Sequence, residues 1–250
     1  MKPCLLIPIY NHGSTIGGVV EALAYLDLPC LIVDDGSDAE TRTELERLER
    51  LYAWVEVHRL SHNGGRGVAL KAGYRHAAAR GMTHALQLDA DGQHAPADAP
   101  HFLKSAKENP VALVLGEPIF DDSAPKSRLY GRKLSQWLVW LETWSFAIHD
   151  PLCGFRCFPL APTITLLDRV ETGNRMDFDV DVVVRLAWAG VPIENVPTRV
   201  VYHEGGISHF QLFYDNVRLV ALHTRLVVRG TLRRLRALCV GRRDARGGAR

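Results

Sequence analysis

The first half of the chain alternates short, nearly uninterrupted apolar runs with stretches of helical character. The apolar runs cover residues 4–9, 30–35, 54–60, 84–91 and 111–117. The helical stretches between them cover residues 14–25, 39–52, 68–80 and 96–108. Uninterrupted apolar runs are typical of strands buried on both faces, and helices usually connect parallel strands. The sequence therefore predicts an α/β fold, with a mostly parallel sheet between two layers of helices.

The second half of the chain is less regular. Helices are predicted at 131–148, 160–169 and 177–190, after a polar loop at 118–130. Residues 191–202 contain prolines and resemble an edge strand, where a missing backbone N–H is tolerated. No internal repeat and no clear linker divides this part, which favours a single main domain.

The chain ends in a strongly basic segment. Residues 212–250 hold ten Arg and two Asp, whereas the whole chain has a net charge of only +2. We therefore expect a main domain at 1–208 and a basic amphipathic helix at 209–238. Residues 239–250 are rich in Gly and Arg, and we expect a disordered tail there.

Composition and cysteine use exclude several classes of protein. With 47% hydrophobic and 23% charged residues, the chain is neither disordered nor fibrous. The five cysteines are too scattered for a zinc site and suit a reducing compartment. The apolar run at the N-terminus is too short for a signal peptide, and no apolar run reaches the length of a membrane-spanning helix. These features predict a cytoplasmic protein.

Acidic residues follow two of the predicted strands. Asp34 and Asp35 end one strand, and Asp89 and Asp91 end another. In a parallel sheet, ligands bind outside the carboxyl ends of the strands. A lone Asp-x-Asp is often a solvated turn, but two acidic ends in one crevice favour a ligand site. One pair could hold Mg²⁺ or Mn²⁺ with a diphosphate, and the other could bond a ribose or base.

Several ordered segments resemble the family-2 glycosyltransferases, and within them the polyprenyl-phosphate sugar synthases. They are IPIYN at 7–11, VDDGSDAET at 33–41, HNGGRGVALKAG at 62–73, LDADGQH at 88–94, DPLCGFRCF at 150–158 and DFDVDVVVRLAWAGVPIENVP at 177–197. The resemblance covers about residues 4–208. It implies a Rossmann-like, three-layer α/β/α fold of the GT-A type and metal-dependent, inverting transfer from a nucleotide sugar.

The resemblance also implies a donor site in the first half of the chain. Pro8, Tyr10 and Asn11 would border the nucleobase, and Asp35 would contact the base or ribose. Arg66 or Lys71 would add positive charge near the nucleotide, unless they are solvated cations.

The metal site implied by the resemblance is the Asp-x-Asp segment. Asp89 and Asp91 would bind the cation, with Gln93 as a further ligand, and Asp91 is thereby a predicted catalytic residue. The cation would be Mg²⁺ or Mn²⁺, and it would neutralise the diphosphate leaving group. The donor could carry UDP or GDP, because both use similar acidic contacts.

The acceptor side allows two chemistries. A lipid phosphate is already anionic and needs cations, whereas a hydroxyl needs a carboxylate that takes its proton. Asp179 is the predicted base, with a helix first-turn charge as the alternative. The predicted acceptor or phosphate contacts are Arg128, Arg132, Ser135, Arg156 and His203. Two of them have structural alternatives, since Arg156 could serve in an internal salt bridge and the loop around His203 could be a plain connector.

The family pattern is not matched everywhere. His12 replaces the acid that is common after Tyr-Asn, and Gly116-Glu117-Pro118 replaces a Gly-Ser-Arg segment of the synthases. Because of the second departure, one arginine that binds phosphate in the synthases has no counterpart assigned here. The identity of the acceptor is therefore left open as well.

Two further patterns bear on partners. Trp137, Trp140 and Trp144 share a helix face, which favours either core packing or an apolar groove for the acceptor. The last helix carries an arginine stripe at Arg218, Arg225, Arg229, Arg233 and Arg236. Such a helix is typical of anionic membrane surfaces, with packing on the main domain as the alternative. We expect peripheral contact with the inner face of the membrane and no nucleic-acid binding, because the main domain is acidic.

The sequence thus predicts a glycosyltransferase that uses a lipid or lipid-linked acceptor such as polyprenyl phosphate. A transferase acting on a saccharide or phenolic hydroxyl, as in glycolipid or polyene-lipid biosynthesis, is the alternative within the enzyme class. A protein that binds a nucleotide sugar without turnover is the alternative outside it. A nucleotidyltransferase is less favoured, because a Gly-rich phosphate loop is missing near the N-terminus.

Overall fold

A seven-stranded sheet runs through the middle of the fold. The computed structural model describes residues 1–120, 126–201 and 212–247, and it describes side chains throughout except at 126–128, 212, 238 and 240–247. The strands are β1 (Pro3–Ile9), β2 (Cys30–Asp34), β3 (Val55–Arg59), β4 (His84–Gln87), β5 (Leu113–Phe120), β6 (Arg156–Pro159) and β7 (Ile193–Val200). The α-helices are α1 (Gly13–Leu23), α2 (Ala39–Leu51), α3 (Arg66–Ala79), α4 (Ala99–Glu108), α5 (Lys126–Thr143), α6 (Leu160–Arg169), α7 (Phe178–Trp188) and α8 (Leu212–Gly247).

The order of the strands in the sheet is β3-β2-β1-β4-β6-β5-β7. β6 is antiparallel to both of its neighbours, and the other paired strands are parallel. From β1 the chain adds β2 and β3 on one side of β1, and it then places β4 on the opposite side of β1. A crevice opens at such a reversal of strand order, outside the carboxyl ends of the strands. The acidic ends of β2 and β4 flank the end of β1 at this point.

Both faces of the sheet are buried, which confirms the three-layer α/β/α fold. Alternate side chains of β1 enter different cores, with Leu5 and Ile7 on one face and Leu6 on the other. The first core is covered by α1, α2 and α4, and the second by α3 and α5–α8. This burial on two sides explains why the strands are apolar at nearly every position.

Pro8 lies inside β1, opposite Val33 of β2. The predicted strand at residues 4–9 includes this proline. A proline is tolerated here because the pairing of β1 with β4 ends at Leu6, so no ladder bond is missing on that side.

Several boundaries differ from those predicted. β5 continues to Phe120 and α5 begins at Lys126, so both take residues from the predicted loop at 118–130. β5 extends to Phe120 because it pairs with β7 over all of its residues. The last helix begins at Leu212 and runs to Gly247, through residues that the sequence analysis assigned to a disordered tail. None of the helices among the described residues is both long and apolar enough to cross a membrane.

Candidate active site

The Asp-x-Asp segment forms the turn that follows β4. Asp91 Oδ1 accepts a hydrogen bond of 3.0 Å from the backbone of Gln93, and Gly92 has the positive φ of 72° that this turn requires. The chain beyond the turn pairs with the end of β7, where Val201 N donates to the carbonyl of Gln93 at 3.0 Å. The two carboxylates are therefore held at the crevice by contacts on both sides of the turn.

Gly154 packs directly against the carboxylate of Asp89. A Cβ at position 154 would lie 2.1 Å from Asp89 Oδ2, closer than any side chain can approach. Gln87, the last residue of β4, fixes this loop by donating from Nε2 to the carbonyl of Gly154 at 3.0 Å. The sequence analysis placed this loop beside the site and missed the glycine's role, which depends on a contact between distant segments.

Arg66 bridges two carboxylates at the start of α3. Its Nη2 lies 2.6 Å from Asp89 Oδ1, and its Nε donates to Asp179 Oδ2 at 2.6 Å. Burial opposes the charges, but the ion pairs outweigh it. The pKa of Arg66 is raised, and Arg66 with His94 holds the pKa of Asp89 well below its usual range. Arg66 thus links the predicted metal ligand Asp89 to the predicted base Asp179, and its contact with the nucleotide stays a prediction.

Asp91 has the opposite environment. Burial, together with the neighbouring charge of Asp89, raises the pKa of Asp91 above its ordinary value. Arg66 pairs directly with Asp89, whereas the charges of His94 and His12 only partly offset the shift at Asp91. A divalent cation placed between them would relieve this imbalance.

His94 is a further residue at this turn that the sequence analysis quoted but did not assign. Its Nε2 lies 3.3 Å from Asp89 Oδ2, and its ring packs against Phe155 at 5.6 Å between centroids. Its spacing of five residues from Asp89 gave no signal, because the contact depends on the sharp turn at Gly92.

The donor set fits a divalent cation that is completed by a ligand. Asp89 Oδ1 is a buried carboxylate oxygen with Arg66 Nη2 beside it, and Asp91 is a partly buried carboxylate with a raised pKa. Within residues 1–120, 126–201 and 212–247, no three His, Cys, Asp or Glu side chains converge on one point. Mg²⁺ is commonly held by one or two carboxylates plus substrate phosphates. The pair Asp89 and Asp91, with Gln93 beside them, suits that arrangement better than a site made by protein alone.

Asp35 anchors the neighbouring loop at the end of β2. Its two oxygens accept hydrogen bonds of 2.8 Å from the backbone N–H groups of Gly64 and Gly65. Burial raises the pKa of Asp35, and these two donors only partly offset it. Its predicted contact with the base or ribose would use the remaining lone pairs.

Asn11 and Tyr10 lie at the end of β1, next to this loop. Asn11 has a positive φ of 52°, its Oδ1 accepts from Asp38 N at 2.8 Å, and its N–H donates to Ser37 Oγ at 3.1 Å. Tyr10 is half-buried beside it. These residues line the crevice where the nucleobase is predicted, and their contact with a base stays a prediction.

Lys71 is engaged away from the acidic turn. Its Nζ donates to the carbonyl of Gly173 at 3.1 Å and to Asn174 Oδ1. Burial lowers its pKa, although Asp177 and Asp181 act against that shift. In this arrangement Lys71 ties α3 to the loop before α7, which supports a structural role over the predicted nucleotide contact.

Of the predicted acceptor residues, Arg132 and Ser135 have described side chains, whereas those of Arg128 and His203 lie outside the described residues. Arg132 Nη1 donates to both carboxylate oxygens of Asp150 at 2.7 Å, at the start of the loop that carries Gly154. Ser135 is buried one turn further along α5. Arg128 lies on α5 with its side chain outside the described residues, and His203 also falls outside them.

Arg156 is fully buried in the structure. It donates to the carbonyls of Cys153, Pro151 and Asp179 at 2.6, 2.6 and 2.9 Å. Its Nη1 also lies 3.3 Å from Asp179 Oδ1. This supports the structural alternative for Arg156, because its donors are already used inside the protein and no phosphate can reach it.

A sheet with this strand order and an acidic turn at its reversal point defines the class: the chain is a glycosyltransferase of the GT-A fold. Residues 4–168 match the model of the family described as Glycosyl transferase family 2, and the chain belongs to that family.

Relatives with known names share most of the chain. An undecaprenyl-phosphate mannosyltransferase of Micrococcus luteus is 28% identical over 226 residues, covering 83% of this chain and 87% of the relative. A UDP-N-acetylglucosamine–dolichyl-phosphate N-acetylglucosaminyltransferase of Methanococcus voltae is 24% identical, covering 84% and 92%. Among solved structures, glucosyl-3-phosphoglycerate synthase from Mycobacterium tuberculosis with Mn²⁺ and UDP-glucose has a TM-score of 0.65 at 16% identity, covering 90% and 76%. That likeness supports the fold alone.

Proposed function

We propose that this glycosyltransferase moves a sugar from a nucleoside-diphosphate donor to the phosphate of a polyprenyl lipid. Relatives named for undecaprenyl phosphate and dolichyl phosphate cover more than four fifths of the chain, which supports the acceptor class. An oxygen of the lipid phosphate would attack the anomeric carbon directly. The bond to the donor diphosphate would break on the opposite side, so the configuration would invert and a nucleoside diphosphate would leave.

The donor diphosphate would lie over the Asp-x-Asp turn. Asp89, Asp91 and Gln93 would hold Mg²⁺ or Mn²⁺, and the cation would neutralise charge on the leaving group. Arg66 would stay beside Asp89 and keep that carboxylate ionised and oriented. The nucleoside would extend towards Asp35 at the end of β2. UDP and GDP donors both fit this scheme.

The arrangement around Asp179 is the observation that carries the acceptor proposal. Its Oδ2 accepts from Arg66 at 2.6 Å, and its Oδ1 is buried beside Arg156. Neither oxygen is positioned to take a proton from an incoming hydroxyl. A phosphate acceptor needs no base, because it is already anionic, so this site suits a phosphate better than a hydroxyl. Asp179 then serves to position Arg66.

The test compares two acceptors that differ only in the phosphate. Purified chain is incubated with Mn²⁺ and UDP-glucose, UDP-N-acetylglucosamine or GDP-mannose, together with either polyprenyl phosphate or the matching polyprenol in detergent. We expect transfer from one donor to the phosphate only. Transfer to the polyprenol would contradict the proposal and favour a hydroxyl acceptor.

The variant Asp179→Asn sharpens this comparison. The Asn side chain can still accept from Arg66, so we expect activity to fall by less than about tenfold. Loss of a general base typically costs about 10²–10⁴-fold. If activity fell by that factor while donor affinity stayed unchanged, Asp179 would be the general base after all. Asp91→Asn is the matched inactive control. Donor binding by the unaltered chain without turnover on any acceptor would instead favour a non-catalytic binding protein.

A further inference from the structure

Helix α5 exposes a row of large apolar side chains. Tyr130, Leu134, Trp137 and Leu141 are spaced by four and three residues, so they lie on one helix face, and the exposed Trp144 follows directly after the helix with a positive φ of 52°. All five are exposed, with 68% of Trp137 and 54% of Trp144 accessible. Val139 on the opposite side enters the core. An amphipathic helix normally buries its aromatic face, and α5 instead buries one apolar face and exposes a second.

Trp140 separates these two faces. Its Nε1 donates to the carbonyl of Ile148 at 2.8 Å, which turns it inward. Of the three tryptophans that the sequence placed on one face, Trp137 and Trp144 are therefore the exposed pair. The contact with the Ile148 carbonyl explains the orientation of Trp140 but not that of the other two.

Helix α8 also has two apolar faces. Leu222 and Leu226 are buried in the core shared with α5, and Gly230 passes so close that a Cβ would lie 2.2 Å from the carbonyl of Glu142. The opposite face is exposed and consists of Phe213, Tyr214, Val217, Val220, Val228, Leu232 and Leu235.

Arginines follow one border of this exposed face. At 100° per residue, Arg218, Arg225, Arg229 and Arg236 fall within about 40° of one another, beside the apolar row. All four are exposed. Helix α8 therefore packs on the main domain with one face and exposes a second face that is apolar and bordered by arginines.

The exposed faces of α5 and α8 meet. The guanidinium of Arg234 on α8 lies 6.0 Å from the ring centre of Trp144, the residue that follows α5. Beneath them, the buried pair His223 and Glu142 joins the two helices through a contact of 2.7 Å. We call the exposed apolar rows of both helices, with the four border arginines, the α5–α8 surface.

We propose that the α5–α8 surface docks on an anionic lipid bilayer. Tryptophan and tyrosine favour the boundary between headgroups and acyl chains, and aliphatic side chains can enter it. Each border arginine would add electrostatic attraction to anionic lipid. A second copy of the chain fits less well, because a two-fold contact would bring the same arginine rows together. The proposal deepens the proposed function, since the lipid acceptor would reach the site from this side.

The position of the surface relative to the active site supports this role. Tyr130 is the first residue of the exposed row on α5. Arg132, two residues further along the helix, donates a hydrogen bond to Asp150. Asp150 opens the loop in which Gly154 packs on Asp89. The apolar row therefore starts at the edge of the catalytic crevice, where a bilayer would present a lipid phosphate to the site.

Vesicle flotation tests the docking without any sugar chemistry. Full-length chain is mixed with vesicles of phosphatidylcholine alone, or of phosphatidylcholine with phosphatidylglycerol, without polyprenyl phosphate or donor. The variants are Trp137→Ser/Trp144→Ser and Arg225→Gln/Arg229→Gln. Val111→Ser is the matched control, because Val111 is exposed at 60% outside the surface. Thermal melting checks that every variant is folded.

We expect binding to phosphatidylglycerol vesicles that weakens with salt. The tryptophan variant should bind at least about tenfold more weakly, and the arginine variant should lose only the preference for phosphatidylglycerol. Val111→Ser should bind like the unaltered chain. Equal binding by the tryptophan variant overturns the proposal, as does self-association that the tryptophan variant abolishes without any vesicle binding. Transfer to polyprenyl phosphate dispersed in detergent tests the proposed function separately, so either proposal can fail alone.

Discussion

The Nη2 of Arg66 lies 2.6 Å from Oδ1 of Asp89, so a protein cation neutralises the first carboxylate of the metal motif. At Asp91, two residues away, burial and the charge of Asp89 raise the pKa, and the charges of His94 and His12 only partly offset that shift. We therefore predict that a divalent cation would bind here together with phosphate oxygens rather than alone.

Replacing Arg66 should change how the cation binds. In Arg66→Gln, the charge that competes for Asp89 is removed, so Mn²⁺ should bind about tenfold more tightly without nucleotide, equivalent to about 1.4 kcal/mol. Electron paramagnetic resonance of free Mn²⁺ measures this directly. In the unaltered chain, Mn²⁺ should bind much more tightly when UDP or GDP is present. Arg75→Gln is the control, because Arg75 pairs with Asp168 on the surface. Equal Mn²⁺ affinity in all three proteins would contradict the prediction.

Gly154→Ala should disable the metal motif. The new Cβ would start 2.1 Å from Asp89 Oδ2, and the carboxylate must move away. We expect a loss of about 1–3 kcal/mol in the free energy of unfolding, typical of overpacking, together with loss of nucleotide-dependent Mn²⁺ binding. Gly18→Ala is the control, because nothing lies within 4 Å of its added Cβ in α1. That variant should be as stable as the unaltered chain or slightly more so. Normal Mn²⁺ binding by Gly154→Ala would refute the packing argument.

Acid should weaken nucleoside binding without unfolding the protein. Burial raises the pKa of Asp35, so it takes up a proton above the range near 3.9 where an ordinary aspartate titrates. Because its pKa is higher in the folded than in the unfolded state, this group stabilises the fold as the pH falls. NMR titration with uridine and guanosine should therefore show affinity falling on acidification while thermal melting stays cooperative. Asp35→Asn should bind weakly with a flat pH profile, and a flat profile in the unaltered chain would count against this role.

The crossing of α5 and α8 should tolerate no side chain at Gly230. A Cβ there would lie 2.2 Å from the carbonyl of Glu142, which belongs to the backbone and cannot retreat. Gly230→Ala should therefore lower the free energy of unfolding by about 1–3 kcal/mol, measured by urea denaturation. Gly131→Ala is the control on α5, where nothing lies within 4 Å. An unchanged midpoint for Gly230→Ala would mean that α8 can shift at no cost.

Local patterns in the sequence were enough to predict the fold class and the acidic turn after β4. The apolar runs gave β1, β2 and β4 because strands buried on both faces need apolar residues throughout. The cap of α2 is a local feature of the same kind, because Asp38 accepts from Thr41 N three residues on, at 2.9 Å. These features depend on residues that are close along the chain.

Contacts between distant segments could not be predicted in the same way. The pairing of Arg66 with Asp179 joins the start of α3 to the first turn of α7, and neither segment signals the other. The exposure of Trp137 and the partial burial of Trp140 depend on how α8 and the loop at Ile148 pack on α5. A helical pattern defines a face, but the surrounding fold decides whether solvent or protein covers it.

The turn that carries Asp89 also sets an order of events during synthesis of the chain on the ribosome. The acidic turn emerges early, but Gly154, Asp179 and the end of β7 emerge only later, and each helps to aim it. A nascent chain that ends before β7 would hold every predicted metal ligand and still lack their geometry. We therefore expect donor binding to appear late, when the last strand joins the sheet.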